Sequence, residues 1–161
     1  MITQMHVKGL MFDPYNNAYI VVLRDEEQSD MLPIWIGKSE AGAISMSLEN
    51  VTPPRPMTHD LIKNLLLGLN TAVRKVVVND LRDDTFYALI WLERDGETIS
   101  IDSRPSDALA LALRLDCPIY VEDDVLKSSK LASAVSEKIN NEELRKWLEN
   151  LGDEDLGRYK M

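Results

Sequence analysis

Apolar residues in the first third of the chain come in short runs broken by turn-forming clusters. Thr3–Phe12 and Ala18–Arg24 flank Asp13-Pro14-Tyr15-Asn16-Asn17, a pattern that predicts a hairpin. Met31–Ile36 predicts a third short strand, and Pro33 places it at an edge or a strand start, because proline offers no ladder N–H. The period then turns helical: Ala41, Ile44 and Leu48 recur on one side of Ser39–Leu48. Pro53, Pro54 and Pro56 make Glu49–Met57 a stiff, extended loop. Thr58 reads as the N-cap of a second helix, with Leu61, Ile62, Leu65, Leu66 and Leu69 as its stripe and Asn70 as its stop. Strand signals return in Arg74–Val78, Thr85–Glu93 and Thr98–Ile101, the last two joined by an Asp95-Gly96 turn. Pro105 opens a helix that reaches Leu115, and Pro118–Val121 predicts one more strand. The remainder reads as helical: Asn140 and Glu143 form a capping-box pattern, and Leu144, Trp147, Leu148 and Leu151 follow at helical spacing up to Gly152.

The order β-β-β-α-α-β-β-β-α-β-α-α predicts an α+β fold: a mixed, largely antiparallel sheet with helices packed on it, plus a C-terminal helical tail. Residues 1–125 are expected to form the domain and 126–161 a tail packed on it. The absence of a regular βαβ alternation argues against a doubly wound nucleotide fold. With 161 residues, 45% of them apolar, the chain can bury a core without a covalent staple. No apolar run approaches the ~20 residues of a membrane span, and Met1-Ile2-Thr3-Gln4 does not open like a signal peptide. The single cysteine, Cys117, is expected to be a buried thiol. These features lead to the expectation of a cytoplasmic protein with no membrane partner.

A net charge of −9 argues against coating nucleic acid by bulk electrostatics. It leaves room for an enzyme that meets a phosphate through a few local groups. Two segments rhyme: Arg55-Pro56-Met57-Thr58-His59-Asp60 and Arg104-Pro105-Ser106-Asp107. Each has Arg-Pro, then a hydroxyl, then an aspartate, and each leads into an apolar helix. A helix start offers unpaired N–H groups and a positive dipole end, and arginine adds a planar donor fork suited to phosphate. Arg55, Arg104, Thr58 and Ser106 are therefore candidate phosphate contacts. Asp60, Asp102 and Asp107 are candidate ligands for Mg²⁺ or Mn²⁺, which favour oxygen. His59 is a candidate proton shuttle; no organic cofactor is expected. The same residue types also cap an ordinary first helical turn, so spacing alone leaves both readings open.

Other patterns carry less. Gly37-Lys38-Ser39 resembles the end of a phosphate-binding loop, but Leu32 stands where that motif needs glycine. Lys38 and Glu40 remain candidates to line a cleft with the Arg-Pro turns. His6, Lys8 and Asp13 match a phosphodiesterase spacing whose downstream glycine-serine segment is missing. Asp80, Asp83 and Asp84 read as a solvated acidic turn. Trp35, Trp91 and Trp147 read as core or interface anchors, since no basic residues interleave with them in the sequence.

Taken together, Leu32-Pro33-Ile34-Trp35-Ile36-Gly37, Glu40-Ala41, Arg55 to Leu61, Thr85-Phe86-Tyr87-Ala88 and Asp102 to Ala108 resemble the bifunctional nuclease domain family. The resemblance runs from about Met1 to Val125, and the ending Asp155 to Met161 is similar to a family tail. It implies a mixed α/β domain that assembles as an oligomer, commonly a homodimer, with DNase and RNase activity on nucleic acid. It carries Arg55, Thr58, His59, Asp60, Asp102, Arg104, Ser106 and Asp107 as motif positions without fixing their roles. The competing expectation is a non-enzymatic oligomeric module that binds an anion or a partner through the same two turns.

Overall fold

The computed structural model describes residues 1–27 and 30–136. In chain order it contains β1 (Ile2–Asp13), β2 (Ala18–Asp25), β3 (Met31–Ile36), α1 (Lys38–Leu48), α2 (Thr58–Gly68), β4 (Ala72–Arg82), β5 (Thr85–Arg94), β6 (Glu97–Ser103), α3 (Pro105–Leu115), β7 (Ile119–Glu122) and α4 (Asp123–Ser136). The capping-box pattern and apolar stripe of 140–152 lie outside the described residues. The strands form one sheet in the order β3-β2-β1-β7-β4-β5-β6. Neighbours are antiparallel except β4 and β7, which run parallel because α3 carries the chain back across the sheet. The fold is thus α+β with a mixed, largely antiparallel sheet, as the pattern predicts. The expected boundary at residue 125 falls within α4, whose Val125 and Leu126 are buried.

Short polar side chains make the hairpins possible. Asp83 and Asp84 turn β4 into β5 at φ 50° and 62°, and Asp95 and Gly96 turn β5 into β6 at φ 52° and 80°. Positive φ at both central residues matches the twist of the strands, and aspartate tolerates it better than most residues. The acidic run is therefore a hairpin turn, and Asp80 is a β4 residue beside a bulge. At the first hairpin, fully buried Asp13 takes the amides of Tyr15 and Asn16 on Oδ1, and Asn16 Nδ2 and Trp35 Nε1 on Oδ2. Trp35 thus anchors through its N–H while its ring stays 41% exposed. Trp91 meets a basic residue in space rather than in sequence: Lys75 Nζ lies 5.6 Å from its ring centroid and 5.8 Å from that of Tyr120.

One core joins the sheet to three helices. Val21, Leu23, Ile34, Val76, Ala88 and Val121 pack with Ala41 and Ile44 of α1, Leu109 and Ala112 of α3, and Val125 and Leu126 of α4. Burying each leucine or isoleucine fully stabilises the fold by roughly 1.5–3 kcal/mol. The alanines at 108, 110 and 112 let α3 sit deep, and every residue from Pro105 to Ala112 except Asp107 is buried. In contrast, α2 has no buried residue and rests against α3. It ends in a Schellman arrangement: Asn70 takes φ 52°, and the Thr71 and Asn70 amides reach the Leu66 and Leu67 carbonyls.

Candidate active site

Both Arg-Pro turns become helix starts, and α3 brings them together. Arg104 is the N-cap of α3, with φ −67° and ψ 144°, and Pro105 occupies the first turn, where a missing N–H costs nothing. Asp107 then projects from the third helical position. In α2 the N-cap is Met57 rather than the expected Thr58, and Thr58 is the first helical residue. The register is set by Asp60, whose Oδ2 accepts the Met57 N–H at 2.9 Å.

The convergence is direct. His59 Nε2 lies 2.9 Å from Asp107 Oδ1. Arg104 grips the same carboxylate through Nε at 2.9 Å and Nη2 at 3.2 Å. Its Nη1 donates to Glu40 Oε1 of α1 at 2.8 Å. Next to His59, Asp60 takes Arg114 Nε on Oδ1 at 2.9 Å, and Arg114 Nη1 is held by the Ala110 carbonyl. His59–Asp107 and Asp60–Arg114 thus pin α2 across two turns of α3, a span of ~10 Å.

Three carboxylates are held below their usual range. Burial pushes the Asp107 carboxyl up, but hydrogen bonds from Arg104 and His59 outweigh it and keep it ionised. Glu40 is lowered first by its own backbone N–H and then by Arg104. Asp60 is lowered first by the Met57 amide and, against some burial, by Arg114. Asp107 and then Glu40 hold the Arg104 guanidinium above its ordinary value.

These groups wall an open groove of about 1230 Å³ between α1, α2 and the β6–α3 junction. Thr58, His59, Asp102, Arg104 and Asp107 all line it, with Glu40, Arg114 and apolar Ile62, Ile90 and Leu111. Three expected residues lie elsewhere. Arg55 stands exposed on the loop, Asp60 is turned to Arg114, and Ser106 is buried beside a smaller depression of about 340 Å³. Sequence reading left Arg114 out altogether. Its only signal was a basic residue seven positions after Asp107, on the same side of α3.

The expected divalent ion does not fit this donor set. Among the described residues no group of three His, Cys, Asp or Glu side chains is placed to hold a metal. Asp60 is committed to Arg114 and an amide, and Asp107 to Arg104 and His59. Asp102 borders the groove at the end of β6, but it pairs with Leu89 in the sheet register while Ile101 pairs with core-facing Ile90, so alternation directs the Asp102 side chain to the opposite face.

Comparison with known proteins adds an independent finding. A family model described as the bifunctional nuclease domain matches residues 21–134. An uncharacterized protein of Mycobacterium tuberculosis is 41% identical over 128 residues, covering 80% of this chain and 76% of the relative. A rice protein, bifunctional nuclease 1 of Oryza sativa subsp. japonica, is 34% identical over 107 residues, covering 64% of this chain and 32% of the relative. Bifunctional nuclease 1 of Arabidopsis thaliana is 28% identical over 124 residues, covering 74% of this chain and 38% of the relative.

Proposed function

The chain belongs to the bifunctional nuclease domain family, and from that premise we propose that it hydrolyses phosphodiester bonds of DNA, RNA or both. The observation that carries this reading is the 2.9 Å contact between His59 Nε2 and Asp107 Oδ1 on the wall of an open groove. With ionised Asp107 accepting from Nε2–H, the nitrogen left to accept a proton is Nδ1. Water enters between His59 and the scissile phosphate. Its oxygen forms the new P–O bond as its proton passes to Nδ1; the P–O bond to the sugar breaks, and the leaving oxygen takes a proton from solvent. Arg104 meets the charge that develops on the phosphate oxygens, and Arg55, exposed on the neighbouring loop, takes the adjoining phosphate. No step is routed through a metal ion.

The test contrasts two aspartates in protein purified from a nuclease-deficient host. Asp107→Asn is expected to lower kcat by about 10²–10⁴, the size of a general-base contribution. Asp102→Ala is expected to stay within a few-fold of wild type, because its register faces it away. Equal losses for both variants would return Asp102 to the centre and displace the His59–Asp107 pair.

The active form proposed is a homodimer. Leu61 and Leu65 of α2 and Leu69 at its C-cap are each more than half exposed, a face that a second copy would cover. The compartment proposed is the cytoplasm. There Cys117, pushed up to about 11 by burial, persists as an unreactive thiol. Among the described residues no helix is long and apolar enough to cross a membrane. One observation favours a second reading, a non-enzymatic anion-binding module: Asp60, Asp107 and Arg104 all have partners within the chain. That reading requires the Asp107→Asn variant to bind nucleic acid less well with no hydrolysis by wild type.

A further inference from the structure

Glu40 and Arg104 are the two residues that wall both the large groove and the smaller depression. Their ion pair is therefore the partition between the two spaces. An arginine as exposed as Arg104, at 63%, samples many rotamers when unrestrained. Here two helices hold it: α3 takes the Nε/Nη2 edge through Asp107, and α1 takes Nη1 through Glu40. Three of the five guanidinium N–H groups are engaged, which leaves one on each terminal nitrogen.

Glu40 is itself seated by a specific local device. It is the third residue of α1, and its carboxylate folds back over the first turn beside Gly37. Gly37, the N-cap, makes the room: a Cβ at residue 37 would stand 2.4 Å from Glu40 Oε2. The backbone of Gly37, at φ −77° and ψ 169°, is open to any residue, so the glycine serves the carboxylate and not the chain path. Stability alone is a poor reason for the arrangement, since an exposed ion pair contributes little to folding.

We infer that Glu40, seated by Gly37, is a positioning residue for Arg104 and fixes the guanidinium on the seam so that its two remaining N–H groups meet the oxygens of a phosphodiester. The inference rests on the hydrolytic reading above and extends it to a residue that never touches the reacting atoms. It also predicts a sign opposite to simple electrostatics. Deleting a carboxylate beside an anion site ordinarily tightens anion binding. Deleting a carboxylate that positions the binding arginine weakens it.

The experiment measures affinity for a short single-stranded DNA oligonucleotide by anisotropy, together with kcat and KM, for wild type, Glu40→Gln, Gly37→Ala and the double variant. Glu40→Gln is expected to weaken oligonucleotide binding about tenfold, the scale of one charge-assisted hydrogen bond, and to lower kcat as well, since Arg104 also meets the charge that develops in the reaction. Gly37→Ala keeps the fold, because the atom it displaces is the end of a flexible side chain, and it reproduces the same loss. The double variant is no worse than either single one, since both act on one contact. Unchanged or tighter binding by Glu40→Gln, or losses that multiply in the double variant, would overturn the inference. If wild type binds the oligonucleotide but hydrolyses nothing, the hydrolytic reading fails while the binding series still judges Glu40. No binding by wild type would sink both.

Discussion

At the scale of single residues, the site is a set of carboxylates whose charge the fold protects. Asp107 has a folded pKa below its ordinary 3.8. A depressed acid contributes stability that is fully present above the unfolded value and is lost as pH falls through the folded one. Urea unfolding of wild type should therefore lose stability below pH 3.8 more steeply than that of Asp107→Asn, with the two converging in stronger acid. Parallel pH profiles would mean that Arg104 and His59 do not hold the charge. Asp13 makes a second, structural case. Its carboxylate is fully buried and takes four hydrogen bonds, so Asp13→Ala strands the Trp35 N–H and two turn amides. A loss of about 2–4 kcal/mol in denaturant melts is expected; less than about 0.5 kcal/mol would show that water replaces the carboxylate.

At the scale of elements, α2 keeps an exposed apolar face among the described residues. Its leucines repeat at helical spacing, yet Leu61, Leu65 and Leu69 face solvent while only one side of the helix meets α3. Leu65→Lys should convert a dimer to a monomer in sedimentation with little change in the melting temperature, since more than half of that side chain is exposed. A dimer that survives this change places the second copy elsewhere. The stripe also shows where pattern reading succeeds. Local pattern, periodicity together with turn and proline signals, placed the strands and the first three helices, because it reflects which residues face the core. It failed where particular hydrogen bonds decide. Strand β4 runs past Val78 to Arg82 through a bulge, carried by its ladder to β5 despite Asn79 and Asp80. The N-cap of α2 moved from Thr58 to Met57 because Asp60 had an amide to reach for. The rhyme of the two Arg-Pro turns was legible, but their meeting was not: His59 and Asp107 are 48 residues apart, and only the seating of α2 on α3 joins them. Glu40 left one local trace, its place three residues after Gly37 at a helix start.

At the scale of the whole molecule, a net charge of −9 surrounds one arginine-bearing groove. Such a protein should hold nucleic acid by few phosphates. With Arg55 and Arg104 as its contacts, the log–log salt dependence of single-strand binding should be no steeper than about −1.5, at ~0.7 per phosphate; a markedly steeper slope would reveal a broader basic surface. On the proposed reading, the chemistry turns on one contact between two helix starts, that of His59 with Asp107. The most direct measurement is the hydrolysis rate of single-stranded DNA and RNA by wild type and His59→Gln, both purified from a nuclease-deficient host and both shown to be folded. The account predicts measurable hydrolysis by wild type and a fall of about 10²–10⁴ in kcat for the variant. A His59→Gln protein that cleaves at the wild-type rate would contradict it.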